Sequence, residues 1–66
     1  MEFKYYLIIS RLSHHVAYVV IGHDPRRSIR SDLKDLVDVI EVTGDQAFRF
    51  IDRGVEEIDF RIPLAA

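Results

Sequence analysis

Two stretches of the chain, residues 3–9 and 16–21, are dense in aromatic and β-branched side chains, and this pattern predicts two strands. The link Ser10-Arg11-Leu12-Ser13 has the length of a hairpin loop. With those four residues as the loop, Ile9 faces His14, Leu7 faces Val16, Tyr5 faces Tyr18 and Phe3 faces Val20. Together they form one bulky apolar face. Side chains alternate along a strand, so the opposite face carries Lys4, Tyr6 and Ile8 beside His15, Ala17, Val19 and Ile21. That second face is too apolar for an ordinary solvent face.

Further along, Asp24-Pro25 has the form of a helix start, with an acidic N-cap and proline in the first helical position. Ser31 offers a second start. Ile29, Leu33, Leu36, Val37 and Ile40 then recur on one helical stripe with Leu36 at its centre, and Gly44 supplies a stop. The β-branched run Val39-Ile40-Glu41-Val42-Thr43 leaves an extended end open. Phe48 and Phe50 alternate with Arg49, and Ile58, Phe60 and Ile62 alternate with Asp59 and Arg61. This predicts a second hairpin turning at Asp52-Arg53-Gly54 and stopping at Pro63. A competing reading caps a short helix at Asp45, runs it over 46–53 and ends it at Gly54. The preferred order is ββαββ: a small α+β fold, an antiparallel sheet of two hairpins with one helix on one face.

Length changes the picture of that second face. A chain of 66 residues forms a single domain, 1–66, and buries only about 60% of its unfolded surface. Without cysteine it has neither disulfides nor thiolate metal sites to add stability. One helix covers one face, so Tyr6, Ile8, Ala17, Val19 and Ile21 are expected to remain as an apolar patch that serves as a protein interface, first of all in a homodimer. The expected function is therefore a small non-enzymatic, homo-oligomeric protein-binding or regulatory module with a further protein partner.

Charge points to an alternative surface. Residues 1–30 hold five basic and two acidic side chains, and residues 31–66 hold four and nine, for a total of −2. Within the basic half, Arg26, Arg27 and Arg30 at the expected helix start are suited to nucleic-acid phosphates or another anion. The overall acidity ranks nucleic acid below protein as a partner. Ala47-Phe48-Arg49-Phe50-Ile51 is faintly similar to the aromatic strand of RNA-recognition motifs. Arg49 stands where that family has a small residue, the family's glycine is missing, and Phe48 and Phe50 read as core.

Chemistry is sparse. His14 and His23 flank the second strand, roughly 30 Å apart at about 3.3 Å per residue, too far to share a metal within one chain. The serines sit at turns and caps, and no nucleophile motif or phosphate-binding glycine loop is present. No enzyme activity, cofactor or metal is expected. The longest apolar run, residues 16–21, is too short to span a bilayer, and the start Met1-Glu2-Phe3-Lys4 lacks the form of a secretion signal. A cytoplasmic location without membrane attachment is the expectation. Leu64-Ala65-Ala66 resembles the end of the bacterial trans-translation degradation tag, which would imply recognition by a AAA+ protease; a frayed tail is the plainer reading.

Overall fold

A computed structural model of the chain describes residues 3–61. Strand β1 (Lys4–Ser10) turns into β2 (Val16–Gly22). Two single 3-10 turns, Pro25–Arg27 and Lys34–Leu36, then lead into β3 (Val37–Val42). Helix α1 (Gly44–Asp52) and β4 (Glu56–Asp59) follow. The four strands form one mixed sheet in the order β3-β1-β2-β4. The fold is a small α+β fold with four strands and one helix, as the sequence pattern implied. Among the described residues, no helix is long and apolar enough to cross a membrane. The expected end of the last strand at Ile62 and Pro63, and the tail Leu64-Ala65-Ala66, lie outside the described residues.

The first hairpin forms, but three residues out of the expected register. Leu7 lies opposite Val19 rather than Val16, and Tyr5 opposite Ile21 rather than Tyr18. The turn is responsible. It runs on to His15, whose carbonyl accepts from the Ser10 N–H at 3.0 Å, and His14 takes a left-handed φ of 61°. A bulge between Ile8 and Ile9 absorbs the remainder. An odd slip exchanges the faces of one strand relative to the other. Leu7, Val19 and Ile21 therefore share one face with Ala47 of the helix, flanked by Tyr5, Ile9, Val42, Phe50 and Ile51. Tyr6, Ile8 and Val20 share the other, packed against Ile29, Val37, Val39 and Ile58. Val19, Val20 and Ile21 are wholly buried. Both sides of β2 are covered, which is why its second half reads as an unbroken apolar run.

The expected positions of the helix and the third strand are exchanged. Asp24 does cap a turn, its carboxylate accepting from the Arg26 N–H at 2.9 Å, yet the turn ends after three residues. Leu33 and Leu36, the supposed centre of a helix stripe, are more than 40% exposed. β-branched Val37, Val39, Ile40 and Val42 pair with β1 instead, because an open sheet edge offers them a full ladder. The helix forms where its ends are best satisfied. Thr43 accepts from the Gln46 N–H, and the Gln46 side chain accepts from the Thr43 N–H, a reciprocal cap. Gly54, at φ 96°, closes the far end.

Helix α1 thus crosses one face of the sheet and delivers β4 to the edge opposite β3. There β4 pairs with β2 in parallel, Tyr18 beside Glu56 and Ile21 beside Asp59. The expected antiparallel second hairpin is replaced by this crossover, which a three-residue loop could not make. Phe48 and Phe50 lie on the helix, not on a strand, so the likeness to an RNA-binding strand has no structural counterpart.

Candidate functional site

The five residues expected to form an open patch do not form one. Tyr6 and Ile8 are 5% and 8% exposed on one face, whereas Val19 and Ile21 are wholly buried on the other. Ala17 is exposed near the start of β2, apart from them. Two physical facts overturn the expectation: the register slip divides the set, and Ile29 of the β2–β3 connection packs against the second face. Accessible apolar side chains lie elsewhere: Leu12 at the hairpin tip, Phe3, Tyr18 and Phe60 away from β3, and Leu36, Ile40 and Phe48 at the β3 side of the sheet.

Among the described residues β3 is an edge strand with a ladder on one side only. The Arg11 N–H donates to the Leu36 carbonyl at 2.9 Å, extending the β1–β3 ladder. Backbone groups alternate along a strand, so Asp38, Ile40 and Val42 bond towards β1, while Val37, Val39 and Glu41 turn theirs outward. One of the outward groups is occupied: the Arg26 Nη2–H donates to the Val39 carbonyl at 3.0 Å. Arg26 is itself held by Asp24 at 2.7 Å.

On the helix side of this strand, Ile40 is 43% exposed and Phe48 44%. Phe48 meets Tyr5 edge-on, with ring centroids 5.7 Å apart, and Tyr5 lies opposite Val42. Helix α1 packs over β1 and β2, so Ile40 is left beyond its cover. On the other side a cleft of about 360 Å³ opens between Arg11, Arg26 and Lys34 over a floor of Ile29, Val37 and Val39. Its two arginines are already engaged. Arg11 donates to the Asp38 carboxylate at 2.9 Å and to the Asp35 carbonyl at 3.3 Å. That carboxylate raises the Arg11 pKa, mainly through the hydrogen bond.

The three arginines of the alternative surface are all exposed. Arg26 pairs with Asp24, and Arg30 with Asp32 at 3.2 Å. Arg27 makes no ion pair among the described residues and lines a second cleft, of about 490 Å³, with His23, Asp24 and Arg26. The expected helix start is a single turn whose Arg26 N–H is already capped, so it offers no row of free amides to a phosphate. His14 and His15 sit at the hairpin tip, while His23 stacks on Phe60 with centroids 4.3 Å apart. No cluster of three metal-ligating side chains is found among the described residues.

No protein-family model, curated protein or solved structure matches this chain. The site therefore rests on its own geometry. Sequence reasoning missed the β3 edge, although a signal was present in the β-branched run 39–43.

Proposed function

We propose that this protein is a small non-enzymatic module that associates with another protein chain, first of all its own copy, through the free edge of β3. The supporting observation is the open state of that edge. Along this six-residue strand, rich in Val and Ile, Val37, Val39 and Glu41 present outward backbone groups, and Ile40 stands more than two-fifths exposed beside them. Such edges pair with further strands unless charge, proline or a covering segment prevents it. Among the described residues only the Arg26 side chain bonds an outward group of β3, at one carbonyl. The surface that does the work is thus an edge rather than a sheet face.

Sedimentation equilibrium over a hundredfold concentration range tests this reading, with Ile40→Lys as the disrupting variant. The wild type should move reversibly between monomer and dimer. Ile40→Lys should remain monomeric while melting within a few degrees of the wild type, since Ile40 is largely outside the core. A wild type that is monomeric at every concentration overturns the proposal.

A further inference from the structure

We propose that two copies join antiparallel, β3 to β3, in one register only: the two-fold axis passes through Ile40, and Arg26 of each copy meets Glu41 of the other. This rests on the reading that the β3 edge is the contact surface, and adds which residues oppose which.

The register follows from backbone alternation and charge. Val37, Val39 and Glu41 carry the outward groups, so an added antiparallel strand must set odd residues against odd and even against even. Four symmetric registers then fall within the strand, centred on residues 38, 39, 40 or 41. Centring on 38 places Asp38 against Asp38, and centring on 41 places Glu41 against Glu41. Like charges directly opposite are destabilising. Centring on 39 opposes Asp38 to Ile40 and brings together two Val39 carbonyls, each already holding an Arg26 guanidinium. Two cations would crowd the axis.

Centring on 40 removes each of these conflicts. Ile40 faces Ile40 as a non-hydrogen-bonded pair, the arrangement with the closest side chains. Asp38 faces Val42, and its charge is already balanced by Arg11 at 2.8 Å. Val39 faces Glu41 on the side of the sheet that also carries Ile29 and the Arg26 cleft. Arg26, anchored on Val39, then meets the carboxylate of the partner's Glu41, and the contact occurs twice by symmetry. The Val39 carbonyl has a second lone pair for the partner's Glu41 N–H, so Arg26 need not leave it. Among the described residues Glu41 makes only an exposed pair with Lys4 at 3.5 Å, which leaves it accessible. The β4 edge is less suited, since centring on 56, 57 or 59 sets an acidic residue against its own copy and centring on 58 sets Glu57 against Asp59.

The chain lacks cysteine, so single-cysteine variants act as a ruler. Opposed residues of a non-hydrogen-bonded pair lie about 4.5 Å apart at Cα, within the 4.4–6.8 Å that a disulfide spans. With oxidised glutathione as oxidant, Ile40→Cys should form a covalent dimer. Asp38→Cys and Val42→Cys should each fail alone and cross-link when mixed. A second measurement is the charge exchange. Arg26→Glu and Glu41→Lys should each weaken dimerisation by about tenfold, and the double variant should recover most of the loss. Rapid cross-linking of Asp38→Cys or Glu41→Cys alone, or no recovery in the double variant, overturns the register while leaving the edge contact standing. A wild type without dimers in sedimentation overturns both.

Discussion

β3 and β4 occupy opposite edges of the same sheet, yet they meet water under different terms. β3 has six residues, four of them Val or Ile, and it is reached through two 3-10 turns that leave Leu33 and Leu36 exposed. β4 has four residues, Glu-Glu-Ile-Asp, and places only Ile58 in a core cluster. Its continuation is tied down tightly. The Phe60 N–H donates to the Ile21 carbonyl at 2.9 Å, and Arg61 closes on Asp59 at 2.7 Å. Short length and negative charge close the β4 edge to further strands, whereas one arginine side chain guards β3. An edge can therefore be finished by its own length and charge, as at β4, or left longer and bonded by a side chain at one carbonyl, as at β3, and the second is the edge proposed for association.

The largest expected effect breaks the anchored side. Gly22, at φ 129°, lies where a Cβ would approach the Phe60 Cβ to 2.9 Å. Gly22→Ala adds backbone strain and overpacking together, and should cost about 2–4 kcal/mol. Urea denaturation should show the loss, and hydrogen exchange should show β4 opening before β3. An unchanged midpoint would mean that β4 is not held by this close approach.

A smaller effect appears in acid. The Arg61 side chain, through its hydrogen bond, lowers the Asp59 carboxyl from 3.8 to about 2. A carboxyl lowered on folding stabilises the protein above its unfolded value and loses that contribution as pH falls towards the folded one. The stability gap between wild type and Asp59→Asn should be full above pH about 4 and close as pH approaches about 2. A gap that stays constant over this range would show that Asp59 acts by shape and not by charge.

The smallest effect belongs to the flank of β3. Leu36→Ala should cost less than about 1 kcal/mol, because the side chain is 44% exposed. The same substitution at the centre of a buried helix stripe would cost about 2–5 kcal/mol. Thermal melting distinguishes the two, and a large loss would show that the β3 flank contributes to the core after all.

Elements whose signals were local were legible. The two first strands, the Asp24 cap on Pro25, the positive φ at Gly54 and the α+β class all follow from neighbouring residues. The helix at 44–52 was present only as the lesser reading, since nine residues make a marginal helix until its apolar side finds a sheet. Its capping signal, Thr43 with Gln46, was the stronger clue and lay two residues from the Asp45 cap considered instead. The stripe from Ile29 to Ile40 misled because its spacings also suit a turn followed by an alternating strand.

Which residues are apolar and that no disulfide supports the fold were settled by the chain of amino acids alone. Only the tertiary structure decided the faces of the sheet, because the longer turn slips the pairing by two residues and the one-residue bulge then reverses the side on which Val19 and Ile21 emerge. It also decided that β4 runs parallel to β2, a consequence of the helix crossing from one edge to the other. The candidate site arose the same way. An edge is not a property of the segment Val37–Val42 but of where that segment sits, and its openness depends on which strands the rest of the chain had left to pair.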